Sequence, residues 1–319
     1  MGFTVISSGP LTTVQDLGRI GYQHAGFQTS GVLDYRAAVL ANLLVGNKKE
    51  EAVLEATLIG PMLEFDETNI IAITGGDFEP KINGELVNCY RALVVKEGDV
   101  LSFGMPKKGC RILIAFAGGM RVSKVMNSYS TNIRCMVGGY FGRALKAMDV
   151  IHFKSPVDSL VHMDRRNLGK EYEKKYNDTN QSILRVVLGM QEDSFTQEGK
   201  QTFFTEPYTV TNESDRMGCK LNGKPVTAKV KADIISDGVP FGGIQIPSSG
   251  QPIIMLRDRQ TIGGYAKIGA VCFVDIPNLV QGKMGDEFRF KPISVRKAQR
   301  LYKREEREYH KLEKYFKNS

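Results

Sequence analysis

The segment GGYFGRALKAMD, residues 138–149, has a near-copy in GGYAKIGAVCFVD, residues 263–275. Each copy places Gly-Gly-Tyr before a partly apolar stretch that ends in aspartate. A shorter pattern occurs three times, as GDVLSF at 98, MDVIHF at 148 and GDEFRF at 285, and each time a turn precedes alternating apolar residues. Alternation with a period of two is typical of a strand with one buried face. The repeats therefore predict two related β units.

Short apolar runs bounded by Gly, Pro, Asn or Asp predict a mainly β fold with few helices. We expect strands in NIIAITG (69–75), RALVV (91–95), RILIAFAGG (111–119), ILRVVLG (183–189), PYTVT (207–211) and QPIIMLRD (251–258). Helical spacing of apolar residues predicts helices in LDYRAAVLANLLVG (33–46) and in SVRKAQRLYKREEREYHKLEKYF (294–316), the second with Ser294 as its N-cap.

The stretch between the two β units is polar and highly charged, which is typical of a linker. The predicted organisation is an N-terminal β subdomain over 1–155, a linker over 156–181, a C-terminal β subdomain over 182–291, and a basic amphipathic helix over 292–319. The simpler interpretation is that this helix packs on the body of the protein and exposes its polar face to solvent. A subunit-docking role is the alternative.

The net charge of +8 is concentrated at the C-terminus, and it does not indicate nucleic-acid binding. Residues 291–319 hold ten Lys/Arg and four Asp/Glu, whereas the rest of the chain holds 33 and 31. A body so close to neutral has no general phosphate-binding footprint. Neither a signal peptide nor an apolar run of membrane-spanning length is recognisable. Five scattered cysteines, never spaced as C-x-x-C, favour a reduced cytoplasmic protein.

Standard motifs for nucleotide, serine-hydrolase and zinc sites are not found, and no metal site is predicted. What remains are three polar clusters on glycine-containing turns, at 9–34, 211–223 and 253–267. In the third cluster, arginine offers a fork for a carboxylate or phosphate, aspartate can accept a proton, and glycine lets the backbone approach a ligand. Each Asp–Arg neighbour has a rival interpretation as a structural salt bridge.

Six motifs together resemble the biotin-dependent carboxyltransferase, or Kip-antagonist, family. They are GPLTTVQDLGRIGYQHAGFQTSGVLD (9–34), ANLLVGN (41–47), EATLIGP (55–61), SDRMG (214–218), GGIQIPSSGQPIIMLRDRQTIGGY (242–265) and QGKMGDEFRF (281–290). The family includes the C component of 5-oxoprolinase, formerly described as the second subunit of allophanate hydrolase. The resemblance runs in order from about residue 8 to 291, and it implies two cyclophilin-like β-barrel subdomains. One departure is Ile262, which stands where the family pattern has a second threonine.

The resemblance implies one component of an enzyme that also contains a Kip-inhibitor-like B component and a LamB-like A component. Such complexes open 5-oxoproline to L-glutamate with ATP hydrolysis, so ATP is the expected cofactor of the complex. Two alternatives stay open. The chain is then either a regulatory protein that sequesters a Kip-type kinase inhibitor, or the carboxyl-acceptor module of a urea-type carboxyltransferase that uses biotin on another polypeptide. Polar pockets favour the enzyme, since sequestration needs an exposed apolar patch.

Opening a lactam requires cationic groups near the developing oxyanion and a carboxylate to handle the proton. The predicted catalytic residues are accordingly Asp258, Arg259, Asp215 and Arg216. The predicted substrate-binding residues are Gln245, Gln260, Thr261, Gly263, Gly264, Tyr265 and Lys267. If Arg259 holds an anion, Arg259→Ala abolishes turnover and leaves the thermal melt nearly unchanged.

Overall fold

The chain forms two compact units. A computed structural model describes residues 2–154, 163–169, 182–230 and 233–318. Unit 1 comprises Met1–Ile20, Ser30–Asp178 and Glu308–Ser319, and unit 2 comprises Gly21–Thr29 and Thr179–Arg307.

The predicted linker lies for the most part outside the described residues, which leave out 155–162 and 170–181. The subdomain boundaries at 155 and 182 therefore stay a prediction.

The described residues of unit 1 include two antiparallel sheets and helix α1 (Tyr35–Leu44). Its strands are β1 (Gly2–Ser7), β2 (Leu11–Gln15), β3 (Val53–Thr57), β4 (Met62–Phe65), β5 (Asn69–Asp77), β6 (Lys81–Ile82), β7 (Glu85–Leu86), β8 (Ala92–Val95), β9 (Val100–Ser102), β10 (Lys108–Phe116) and β11 (Val150–His152). One sheet has the spatial order β11-β1-β4-β9-β6-β7, and the other has the order β2-β3-β10-β5-β8.

The core of unit 1 follows from the apolar runs of these strands. Phe3 of β1 stacks on Phe116 of β10 with ring centroids 4.7 Å apart, and Phe65 and Phe153 pack around them. All four rings are at most 6% exposed. Burial of this aromatic surface, together with the aliphatic side chains around it, stabilises the packing of the two sheets.

Helix α1 confirms the prediction over 33–46. Asp34 caps it, because the carboxylate accepts a hydrogen bond from the backbone N–H of Ala37 at 3.0 Å. The helix is buried on nearly all sides, and Gly46 follows it in the left-handed conformation with φ of 74°.

The three repeated turns share a hydrogen-bond pattern that includes a lysine three residues before each aspartate. In every copy the aspartate carboxylate accepts the backbone N–H of the lysine, at 2.7 to 2.9 Å, and the aspartate N–H donates to the lysine carbonyl. The pairs are Lys96–Asp99, Lys146–Asp149 and Lys283–Asp286. The third position of each turn is left-handed and is occupied by Gly98, Met148 and Gly285. The prediction of a turn followed by a strand is confirmed at all three places.

Met148→Gly is expected to stabilise unit 1 by about 0.5–1 kcal/mol. Met148 has φ of 70° and is 80% exposed, so the substitution removes backbone strain and gives up almost no packing. Urea denaturation of both proteins measures the difference. Gly98→Ala in the corresponding turn is the control and should destabilise. A loss of stability in Met148→Gly would show that the exposed side chain contributes more than the strain costs.

Unit 2 contains a closed seven-stranded barrel and a separate two-stranded sheet. Its strands are β12 (Ile183–Leu188), β13 (Tyr208–Val210), β14 (Gly218–Gly223), β15 (Asp233–Gly238), β16 (Gly243–Gln245), β17 (Ile253–Met255), β18 (Ile262–Tyr265), β19 (Lys267–Val271) and β20 (Glu287–Pro292). The barrel order is β12-β19-β16-β17-β14-β13-β20, closed by parallel pairing of β20 with β12, and β15 pairs with β18. The six strands predicted from apolar runs are confirmed across the two units.

Further along the described part of the chain lie helices α2 (Gln197–Thr205), α3 (Ile276–Val280) and α4 (Val295–Asn318). Helix α4 confirms the predicted C-terminal helix, and Ser294 accepts the N–H of Lys297 at its start. Its buried apolar residues lie in the last part, at Tyr309, Leu312 and Phe316. None of the helices in the described residues is long and apolar enough to span a membrane.

The Gly-Gly-Tyr repeat does not mark equivalent elements, so this part of the prediction is wrong. Gly138 and Gly139 lie in turns with φ of 71° and 55°, whereas Gly263 and Gly264 lie in strand β18. The two copies satisfy different constraints, because the first requires a left-handed backbone and the second an extended one. The mainly β fold with few helices, a barrel and a C-terminal helix is nevertheless confirmed.

Candidate functional site

The charged residues after β17 lie in a buried loop of unit 2. Arg257, Asp258 and Arg259 are only 8%, 6% and 5% exposed. The loop is held to the segment before β14, since Leu256 N–H donates to the Met217 carbonyl at 2.7 Å. Buried charges require partners, so each of these side chains must be accounted for by its contacts.

Arg216 and Asp258 form a buried ion pair, with 2.9 Å between Nε and Oδ2. The antiparallel register of β14 and β17 places Gly218 opposite Met255, and this brings the residue before one strand next to the residue after the other. Each of the two side chains is 8% exposed. The second carboxylate oxygen of Asp258, Oδ1, is buried and makes no hydrogen bond within the described part of the chain. A buried acceptor of this kind requires a partner outside the protein, such as a ligand or an ordered water, or a chemical role.

Asp215 lies beside Arg216 in sequence but is exposed. Its Oδ1 accepts hydrogen bonds from the backbone N–H groups of Met217 and Gly218, at 2.7 and 3.1 Å. These contacts close the turn that leads into β14. The structure therefore brings Arg216 to Asp258 and directs Asp215 to the local backbone.

Arg259 is surrounded by neutral acceptors. Its Nε donates to the Val239 carbonyl at 2.8 Å, and its Nη1 donates to the Leu256 carbonyl at 3.1 Å and to Thr29 Oγ1 at 3.3 Å. Burial lowers the pKa of the Arg259 guanidinium to about 10, so the side chain remains charged at neutral pH. The Cζ atom of Arg259 lies 5.7 Å from the centroid of the Phe241 ring. The guanidinium thus ties three separate backbone segments of unit 2 together.

Gln245 and Gln260 bring their side-chain amides to Gly263. A Cβ atom on Gly263 would lie 2.7 Å from Gln245 Nε2, 3.3 Å from Gln260 Nε2 and 3.1 Å from Val239 Cγ2. Gln245 is 1% exposed, and its Nε2 has no hydrogen-bond partner among the described residues. Two amide donors that converge beside a glycine can bind a carbonyl or carboxylate oxygen.

A cavity of about 600 Å³ adjoins this position in unit 2. Two stretches of chain line it, one at 238–240 and one at 261–262, and the segment Gly21–Thr29 supplies the rest. The lining residues are Gln23, His24, Gly26, Gly238, Val239, Pro240, Thr261 and Ile262. Thr261 is the predicted substrate residue found in this wall. Ile262, where the family pattern has threonine, is 61% exposed and gives the wall an apolar surface.

Gln23 and His24 line this cavity, and neither is among the predicted site residues. They lie in a turn between Gly21 and Gly26, which have φ of 97° and 83°. The segment Gly21–Thr29 belongs to unit 2, as do the other residues that line the cavity. Thr29 anchors the segment, because its hydroxyl donates to the Arg257 carbonyl at 3.1 Å. In the sequence, the feature that could have indicated these residues is a histidine between two closely spaced glycines.

Lys267, Gly264 and Tyr265 are not among the residues that line this cavity. The Lys267 ammonium lies 3.3 Å from Asp237 Oδ2, which also accepts a hydrogen bond from Gln191 at 3.0 Å. The pKa of Asp237 is lowered, first by the N–H of Gly238 and then by Lys267. The lysine charge is therefore already paired. Gly264 and Tyr265 run along β18, which pairs with β15.

The first polar cluster, at 9–34, is largely a buried network of unit 1. The Asp16 carboxylate accepts hydrogen bonds from the N–H of Gly18, the hydroxyl of Ser128 and the N–H of Tyr129, at 2.7 to 2.8 Å. Arg19 is 1% exposed and donates to the carbonyls of Val125 and Ser130. Satisfied buried groups of this kind fix one loop conformation rather than bind a ligand.

The comparisons with known proteins agree with the fold. Residues 25–292 match the family model of the carboxyltransferase domain, subdomain A and B. The chain is similar to the C component of 5-oxoprolinase from Escherichia coli, with 32% identity over 97% of this chain and 96% of the relative. It is also similar to the C component of 5-oxoprolinase from Haemophilus influenzae, with 29% identity over 92% of each.

A solved structure, that of the Kluyveromyces lactis urea amidolyase, superimposes with a TM-score of 0.88 and 28% identity. The match covers 98% of this chain and 20% of that one. The fold and these matches define a carboxyltransferase-type β protein. The chain belongs to the carboxyltransferase domain, subdomain A and B, family.

Proposed function

We propose that the chain is the C component of a cytoplasmic, ATP-dependent 5-oxoprolinase, which opens 5-oxoproline to L-glutamate together with a Kip-inhibitor-like B component and a LamB-like A component. The observation that carries the proposal is the 32% identity to the C component of Escherichia coli over nearly the whole length of both chains. A hydrolase role for the complex follows from that assignment.

Within unit 2, the proposed substrate site is the space between the glutamine amides and the cavity wall. Gln245 and Gln260 would donate to the lactam oxygen and stabilise the negative charge that develops on it. Asp258, with its unpartnered Oδ1, is the proposed proton acceptor, and Thr261 and His24 would contact the rest of the ring. Arg259 is assigned a positioning role, since it ties Val239 to Thr29.

ATP fits this cavity poorly. None of the residues described as lining it is a lysine or arginine, and the nearby Lys267 is paired with Asp237. A triphosphate requires several cationic or N–H donors. We therefore propose that the nucleotide of the complex binds outside this cavity.

The direct test is to produce the chain together with its A and B components and to measure ATP hydrolysis with and without 5-oxoproline. We expect 5-oxoproline-dependent hydrolysis from the complex and glutamate as the product. An assembled complex that hydrolyses no ATP in response to 5-oxoproline would contradict the proposal.

Gly263→Ala should raise the KM for 5-oxoproline about tenfold, which corresponds to the loss of about one hydrogen bond. The new methyl group would displace the flexible end of Gln245, and the free energy of unfolding should change by less than about 1 kcal/mol. Gly264→Ala is the matched control, because its Cβ would lie 3.4 Å from the nearest atom, the Ile234 carbonyl oxygen. Equal KM values for the two variants would argue against a role of the Gln245 amide in binding.

A second candidate function is carboxyl transfer to a urea-type acceptor, with biotin carried by another polypeptide. It is supported by the similarity to the Kluyveromyces lactis urea amidolyase. Both functions require donors around an amide carbonyl, so the same site would serve. Assays of the complex with a biotinylated carrier protein, ATP, bicarbonate and urea separate the two. Carboxylation of urea without a response to 5-oxoproline would favour this candidate.

A further inference from the structure

Unit 1 has a cavity of its own, with a volume of about 360 Å³. Two stretches of chain form it, one after β10 and one that includes the first Gly-Gly-Tyr segment. The lining residues are Arg121, Val122, Ser123, Val125, Met136, Gly138, Gly139, Tyr140, Phe141 and Gly142. We call this the unit 1 cavity. It contains none of the residues assigned to the 5-oxoprolinase reaction above.

The wall at 138–142 is backbone packed directly on the buried network of unit 1. A Cβ atom on Gly138 would clash with the Ser130 carbonyl and lie 2.6 Å from Arg19 Nη2, and one on Gly139 would clash with the Thr131 hydroxyl. The left-handed conformation continues at Phe141, with φ of 55°. Left-handed non-glycine residues cost about 1–2 kcal/mol each and are enriched at functional sites. This wall is therefore fixed by the structure beneath it.

Hydrogen-bond donors along this wall are unused. Within the residues that the structure describes, the four consecutive backbone N–H groups of 138–141 donate no hydrogen bond. On the other side of the cavity, the exposed guanidinium of Arg121 makes no hydrogen bond or ion pair with any described residue. Consecutive free N–H groups in a turn, together with an arginine, form an environment that binds anions.

The charge of the surrounding segment is of one sign. Residues 118–148 contain five Lys/Arg and no Asp/Glu. Arg143 is neutralised by a two-pronged pair with Asp149, at 2.7 and 2.8 Å, which raises the pKa of Arg143 and lowers that of Asp149. Arg121 has no such partner among the described residues. The segment that forms the cavity thus carries basic side chains and no carboxylate, which favours an anionic ligand.

Apolar side chains complete the cavity. Met136 and Phe141 line it and are 77% and 78% exposed. The Tyr140 ring contacts Phe141 edge to face at 4.7 Å, and its hydroxyl donates to the Val150 carbonyl at 3.1 Å. A ring held in this way is preorganised to contact the apolar part of a ligand.

We propose that the unit 1 cavity binds a small molecule through its anionic group, a carboxylate or phosphate held by Arg121 and the main-chain N–H groups of 138–141. The apolar body of the ligand contacts Met136 and Phe141. The choice of probes rests on the proposed function, since 5-oxoproline carries a carboxylate and ATP carries phosphates.

Isothermal titration of the purified chain with 5-oxoproline, inorganic phosphate and ATP tests the site. Arg121→Gln should weaken binding of at least one probe by at least about tenfold, the loss expected for a charge-assisted hydrogen bond. Lys124→Gln is the charge-matched control. It removes the same charge from the same segment, but Lys124 does not line the cavity and lies over the Tyr129 ring, 4.8 Å from its centroid. Binding to this control should stay within about twofold of the original protein.

The pattern of probes identifies the source of the anion. Binding of 5-oxoproline that Arg121→Gln weakens, without binding of inorganic phosphate, indicates a carboxylate site in the unit 1 cavity. Binding of phosphate or ATP that Arg121→Gln weakens indicates a phosphate site there, and probe binding that Arg121→Gln leaves unchanged contradicts the proposal. No binding of any probe at millimolar concentration, or equal losses in Arg121→Gln and Lys124→Gln, would overturn the proposal. Because partner proteins and turnover are not involved, this result is independent of the test for 5-oxoprolinase activity.

Discussion

Arg259→Ala is expected to lower the free energy of unfolding of unit 2 by about 3–4 kcal/mol, and with it the activity of any complex that contains the chain. The substitution deprives the carbonyls of Val239 and Leu256 of a donor, and each such buried group costs about 1–3 kcal/mol when left unsatisfied. It also leaves a void beside Phe241. Urea denaturation followed by circular dichroism measures the loss.

Arg300→Ala serves as the control for this experiment, because Arg300 is an exposed residue of helix α4. Its effect on stability should stay within about 0.5 kcal/mol. A variant Arg259→Ala that melts like the original protein but supports no turnover would restore the interpretation of Arg259 as a direct anion ligand. The sequence alone predicts a loss of turnover with an unchanged melt, because the sequence does not reveal which groups the guanidinium contacts.

Much of the fold could be predicted because it is encoded locally. The strand NIIAITG and the turn KEGD before β9 are recognisable from neighbouring residues alone, through β-branched runs and a capping aspartate. Helix α2 could not be predicted in the same way. It contains Gly199 and a central Thr202, and it depends on the Thr196 cap and on stacking of Phe203 against Phe290 at 4.3 Å. Such a helix is decided by tertiary contacts.

The residue types of the candidate site could be proposed from the sequence, whereas their contacts could not. Asp215 and Arg216 are adjacent, yet one closes an exposed turn and the other enters a buried pair. The difference follows from the register of β14 against β17, which no local pattern reveals. The placement of His24 in the unit 2 cavity is a long-range property of the same kind.

The largest effects are expected from the pair Arg216–Asp258, studied as a double-mutant cycle. Arg216→Met alone, or Asp258→Leu alone, leaves a buried charge without its partner and should cost about 3–5 kcal/mol. The double variant removes both charges and keeps apolar volume, so it should recover to within about 1 kcal/mol of the original protein. Urea denaturation of all four proteins gives the coupling energy.

The double variant also separates structure from chemistry. It retains the fold but has no carboxylate at position 258, so the complex should lose 5-oxoproline-dependent ATP hydrolysis if Asp258 accepts the proton through Oδ1. We expect that loss, because an orphaned buried oxygen is costly to keep for stability alone. A folded double variant that turns over normally would exclude Asp258 as the base. One as unstable as either single variant would show that other contacts of these side chains outweigh the ion pair.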